Sequence, residues 1–159
     1  MVATVKSGKG FYIGDVCYVL GNRVYFEEWG RARRFAKGVC KDSKTGFSFA
    51  VAETAYGDGG YVDGEGNVYG VDAGVIGLVP LELVEKPWGL ENGRVFFREG
   101  EAEFEAEDGL FVVTIPGESH PVIINTRYDE IEEEVAEDEG SWDDEVGFDP
   151  YLGCYTGDV

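Results

Sequence analysis

Apolar runs in this chain are short, and glycine ends most of them; that punctuation limits the fold more than any other feature. Twenty-four of 159 residues are Gly, scattered without a G-x-y period. Collagen-type repeats are thereby excluded and many tight turns are implied. The runs between the glycines are rich in β-branched and aromatic residues, the composition of half-buried strands. None approaches the roughly 18 apolar residues that a membrane-spanning helix needs.

Residues 11–20 read as a strand that ends at the Gly21-Asn22 turn signal. Next, Tyr25, Trp29, Ala32 and Ala36 recur at helical spacing with Asn22 as N-cap, and Arg33, Lys37 and Lys41 would line the opposite face. Gly30 inside this helix costs about 1 kcal/mol relative to Ala and is its expected weak point. From residue 47 onward the pattern is β. Residues 47–56 form one strand, and 61–62 and 68–69 flank the loop 63–67 as a hairpin symmetric about Glu65, with Tyr61 facing Tyr69 and Val62 facing Val68. Residues 75–79 are a short buried strand stopped by Pro80. Residues 93–98 open a meander that continues through 102–106 and 110–115, joined at the two-residue turn Asp108-Gly109, and 122–126 close the body. About eight short strands predict a mainly β (α+β) fold, a sandwich or partly open barrel with one packed helix and an acidic C-terminal tail.

Charge divides the chain. All thirteen Lys and Arg lie between Lys6 and Arg127, whereas residues 128–159 hold thirteen of the thirty-two acids and no base. The net charge of −19 thus separates into about −6 for a globular domain at 1–128 and −13 for an acidic segment at 129–159. Aromatic residues punctuate that segment, unlike a purely solvating tract. The predicted partner-binding residues are therefore Glu130, Glu133, Glu134, Glu137, Trp142, Phe148, Tyr151 and Tyr155. The expected partner is a protein with a basic surface, engaged by carboxylates that present charge as phosphates do. Direct nucleic-acid binding is opposed by the net charge, although Arg31, Arg33, Arg34, Lys37 and Lys41 form a local basic patch.

Residue types exclude several chemistries. With one His, no G-x-S-x-G and no P-loop, the parts of a hydrolase or nucleotide enzyme are missing, and the residue types lean against an enzyme without deciding the question. Cys17, Cys40 and Cys154 are an odd number without a C-x-x-C pair, so reduced thiols and a cytoplasmic location are expected. The N-terminal residues lack the apolar stretch of a secretory leader. His120 precedes a strand and reads as structural.

Residues 14–20, beginning Gly14-Asp15, and residues 54–61 with 69–80 (TAYGDGGY and YGVDAGVIGLVP) resemble a group of small uncharacterised proteins of bacteria and their phages. In that group Pro often follows the first Asp, where this chain has Val16. The resemblance implies a bacterial or phage setting and no particular activity.

The Gly/Asp-rich loop does not satisfy an EF-hand, because a start at Asp63 puts Val68 where Gly is required and Gly74 where Glu is required. Hairpin symmetry does set Asp58 opposite Asp72, and Asp15 would join them if its strand is adjacent. An Asp15, Asp58 and Asp72 cluster is the alternative reading: a small-ligand or divalent-cation site, with no other cofactor expected. Against it stands the ordinary behaviour of Asp beside Gly, which bonds nearby backbone N–H groups.

Overall fold

The structure, a computed structural model, describes residues 1–128. The chain divides into two units, Met1–Arg127 and Tyr128–Val159. The acidic-segment residues from Glu130 to Tyr155 named above lie outside the described residues.

The described fold is mainly β, with eleven strands that all pair antiparallel. They are β1 (Val2–Ser7), β2 (Phe11–Gly14), β3 (Gly38–Lys41), β4 (Ser48–Glu53), β5 (Gly59–Val62), β6 (Val68–Val71), β7 (Val75–Pro80), β8 (Arg94–Phe96), β9 (Gly100–Glu107), β10 (Leu110–Thr114) and β11 (Val122–Asn125). One sheet has the order β1-β9-β10-β11 and a second the order β3-β4-β7-β2-β8, while β5-β6 stands as a separate hairpin. The two larger sheets pack face to face as a sandwich. Phe104 and Phe111 of the first meet Phe11, Ile13, Ile76 and Leu78 of the second, and Tyr61, Tyr69 and Val71 of the hairpin join the same core.

The central strands of the second sheet, β2 and β7, are buried on both faces, which explains why β7 reads as an unbroken apolar run. Ile76 and Leu78 face the first sheet. Val75 and Val79 face a helical layer in which Trp29, Val24 and Leu20 pack against Phe49 and Val51. A strand with two apolar environments shows no alternation in sequence.

Both predicted hairpins form in the expected register. Tyr61 pairs with Tyr69 and Val62 with Val68. Asp108 (φ 50°) and Gly109 (φ 87°) both take the left-handed conformation that a two-residue turn between twisted strands requires. A side chain at Gly109 would also come within 2.7 Å of Ala55 Cβ and Thr126 Oγ1.

Other expectations need correction. The strand expected over 11–20 stops at Gly14, because the Asp15 carboxylate accepts the Cys17 N–H and turns the chain into a 3-10 turn at Val16–Tyr18. The helix is present at Arg23–Arg31, but its bonding is of the π type, with the Ala32 N–H reaching Glu27 five residues back. Five-residue spacing changes the buried face. Val24, Trp29 and Gly30 are buried, whereas Ala32 and Ala36 are exposed. Asn22 makes no side-chain cap bond. Gly30 does not break the helix; its missing Cβ admits the Phe35 ring, whose Cζ would lie 2.7 Å from an added Cβ. Lys41 belongs to β3 and not to a helix face. Strands β1 and β3 were not anticipated.

Candidate functional site

Asp15 is held on both carboxylate oxygens by backbone donors. It is fully buried where β2 ends. Its Oδ1 accepts the Cys17 N–H at 2.9 Å, and its Oδ2 accepts those of Asp72 at 2.8 Å and Ala73 at 2.6 Å. The structure therefore does bring Asp15 to Asp72, but through the Asp72 backbone. Asp72 and Asp58 are both exposed, one position beyond the Gly59–Val71 pair of the hairpin. Backbone N–H dipoles converge on Asp15 as they would on a bound anion, and the anion here is the carboxylate itself. Among the described residues no group of three or more His, Cys, Asp or Glu is arranged to hold a metal.

Cys17 sits beside this carboxylate, half-buried. Burial first, and then the Asp15 charge, push its thiol well above the ordinary range. A nucleophilic thiol needs the opposite environment. Burial also pushes the Tyr18 phenol up to about 12, helped by the charges of Cys17 and Asp72.

Two further carboxylates act as loop staples. Asp63 accepts the backbone N–H groups of Glu65 (2.8 Å) and Asn67 (2.9 Å) and the Tyr69 hydroxyl (2.7 Å), with Arg94 at 3.3 Å. Burial works to raise its pKa, yet the Tyr69 and backbone hydrogen bonds hold it below the usual range. The Gly64 N–H donates to the Ile123 carbonyl, which fastens this hairpin to β11. Asp42, also fully buried, takes both arms of the Arg23 guanidinium at 2.9 Å and the Thr45 hydroxyl at 2.7 Å. Those bonds, led by Arg23, hold its carboxyl far below the ordinary range. Asp42 and Arg23 thereby tie the β3–β4 turn to the π-helix.

All five residues of the predicted basic patch, Arg31, Arg33, Arg34, Lys37 and Lys41, are exposed. Arg33 donates to Cys40 Sγ (2.9 Å) and to the Lys41 carbonyl (3.2 Å), and Lys37 pairs with Glu53 at 3.3 Å. Arg31 and Arg34 are exposed and make no ion pair among the described residues.

An acidic surface on the body escaped the sequence reading. Along β9, Ala102, Phe104 and Ala106 are buried and Glu101, Glu103, Glu105 and Glu107 are exposed. The carboxylates are thus spaced two residues, about 6.8 Å, apart on the outer face of the first sheet. Lys6 on β1 pairs with Glu101 at 3.6 Å. The other three face Thr4, Val2, Thr114, Val112 and Leu110 across the sheet and make no ion pair among the described residues, although the Met1 ammonium donates to the Ala106 carbonyl at 2.7 Å, at the strand position between Glu105 and Glu107. Glu107 also lines an open cleft of about 420 Å³ with Glu53, Thr54 and Asp108 at the end of the sandwich. Strict alternation of Glu with apolar residues over 101–107 was the available signal.

No protein-family model, curated protein or solved structure matches this chain.

Proposed function

We propose that the protein is a non-catalytic binding protein that presents carboxylates to the basic surface of a partner protein. The observation that carries this reading is the β9 row: Glu103, Glu105 and Glu107 stand at strand spacing and form no ion pair among the described residues, with the Met1 ammonium on the intervening Ala106 carbonyl offsetting only part of their charge. Like charges so placed repel one another, and a positive partner surface relieves that repulsion. The sequence of residues 129–159 adds acids and the anchors Trp142, Phe148, Tyr151 and Tyr155. A body face and a terminal segment of the same sign support mimicry of nucleic acid, with a nucleic-acid-binding protein of a bacterial host as the target and the cytoplasm as the setting. Among the described residues no helix is long and apolar enough to cross a membrane.

The cation reading centred on Asp15, Asp58 and Asp72 has less support, because backbone donors already occupy both Asp15 oxygens.

Capture from a bacterial lysate tests the proposal with three proteins: the full chain, Glu103/Glu105/Glu107→Gln, and Glu130/Glu133/Glu134/Glu137→Gln. A basic partner retained at low salt, released by duplex DNA and weakened in either variant is the expected result. Retention indifferent to salt, DNA and both variants would defeat it.

A further inference from the structure

Three irregularities converge at the C-terminal end of the π-helix. Arg34 (φ 55°) and Phe35 (φ 56°) are consecutive non-glycine residues in the left-handed region, a conformation that Cβ resists and that surrounding structure must impose. The helix before them keeps π bonding over nine residues, where such geometry is ordinarily a single-turn bulge, often at a functional site. The third irregularity is the surface that results. Phe26 is 56% exposed and Phe35 39% exposed. The Tyr25 ring lies 4.9 Å from Phe26 and 5.6 Å from Phe35. Trp29, buried beneath, contacts Tyr25 at 5.4 Å and Phe35 at 5.0 Å. The result is a contiguous aromatic shelf, rooted in the core and open to water.

Arg31 and Arg34 lie near these rings in sequence, and the exposed Glu27 follows Phe26. Arg31 closes the helix and Arg34 precedes Phe35, both exposed and without an ion pair among the described residues. In a chain with a net charge of −19, unpaired guanidinium groups beside exposed rings are the reverse of the prevailing surface. Nothing in the acidic-surface reading uses them.

We propose that Tyr25, Phe26 and Phe35, flanked by Arg31 and Arg34, form a docking surface for an acidic peptide segment of a partner protein. An apolar or aromatic side chain of the peptide lies on the shelf, and its neighbouring carboxylates take the planar guanidinium forks. Charge complementarity selects this occupant over single-stranded nucleic acid. A strand-tracking groove needs cations along several nucleotides. Here Arg31 and Arg34 supply two cations, enough for one or two carboxylates and too few for a run of phosphates. The strained turn has a use in this arrangement: it sets the Phe35 ring over Gly30 and leaves Arg34 turned outward beside it.

Fluorescence anisotropy on the full chain tests this with a labelled twelve-residue peptide that alternates Asp or Glu with Trp or Phe, and a control with Asn and Gln in place of the acids. The acidic peptide should bind, with affinity falling as salt rises from about 50 to 300 mM, and the amide control should bind at least tenfold more weakly, roughly 1.4 kcal/mol. Arg31→Gln with Arg34→Gly should weaken binding by about tenfold or more. The Arg34→Gly protein alone should melt no lower than the parent, since glycine accepts the left-handed turn. Loss of binding is then separated from loss of fold. Phe26→Ser should weaken binding without altering the circular dichroism spectrum. No binding up to about 1 mM peptide, equal binding of the amide control, or no effect of the arginine variants overturns the proposal. So does tighter binding of oligothymidylate. Dimerisation of the parent that the arginine variants abolish would put a second copy on the shelf and likewise overturn it.

Discussion

Replacing Asp15 by Asn tests whether this buried carboxylate holds the fold or serves a ligand. Three backbone N–H groups, from Cys17, Asp72 and Ala73, donate to it at 2.6 to 2.9 Å. Asn can keep its oxygen toward Asp72 and Ala73 only by turning its amide nitrogen toward the Cys17 N–H, donor against donor. One bond to a charged acceptor is then lost, about 1.5–3 kcal/mol. The other two become neutral bonds and weaken by about 1 kcal/mol each. Removing a buried charge returns part of its desolvation cost, so a net loss of about 3 kcal/mol is expected. For a body of this size that corresponds to a fall in Tm of roughly 10 °C. Thermal melts followed by circular dichroism at pH 7, with chelator and separately with millimolar calcium or magnesium, supply the measurement. A melt within about 2 °C of the parent in chelator would show that the three bonds do not matter as argued. Stabilisation of the parent by metal, absent in the Asp15→Asn and Asp58→Asn proteins, would restore the cation reading.

Two more outcomes follow from the packing and the charges. Gly30→Ala should destabilise by about 1–3 kcal/mol although Ala is the better helix former by about 1 kcal/mol, because its Cβ would meet the Phe35 ring at 2.7 Å; a Tm at or above the parent's would refute this account of the shelf. Asp42, Asp63 and Glu82, the last accepting the Ser7 hydroxyl at 2.7 Å and the Gly8 N–H at 2.8 Å, all have folded-state pKa values held below their ordinary ones. Their contribution is therefore complete above the unfolded values, near 4, and drains away as pH falls through the folded ones. Urea melts from pH 7 to 2 should show that loss, and Asp42→Asn, already missing the charged bond to Arg23, should lose stability with a shallower slope than the parent. Parallel slopes would mean that the Arg23 pair is not the source.

The β5–β6 and β9–β10 hairpins were legible because their information is local: turn residues and facing side chains fix register within a few positions. The alternation at Glu101–Glu107 was equally local and could have been read as an acidic face. The role of Asp15 was not legible, since two of its three donors come from residues 72 and 73, more than fifty positions away. Sequence could propose that Asp15 meets Asp72, yet only the packed chain shows that an N–H group, and not a carboxylate, makes the meeting. The π-helix was hidden for a related reason. Its apolar spacing fits an ordinary helix, whereas the residues that pack over β4 and β7 are Val24 and Trp29, five positions apart.

By itself, then, the sequence determined a mainly β chain, its two tight hairpins, the absence of familiar catalytic motifs, and the division of charge at about residue 128. These follow from propensities, turn chemistry and counting, which act over a few residues at a time. Tertiary structure decided which strands share a sheet, which carboxylates are consumed as staples and which are left to face solvent, and where exposed aromatic rings and unpaired arginines come together. Those outcomes depend on side chains distant in sequence competing for the same buried space and the same hydrogen-bond donors, a competition settled only when the whole core closes.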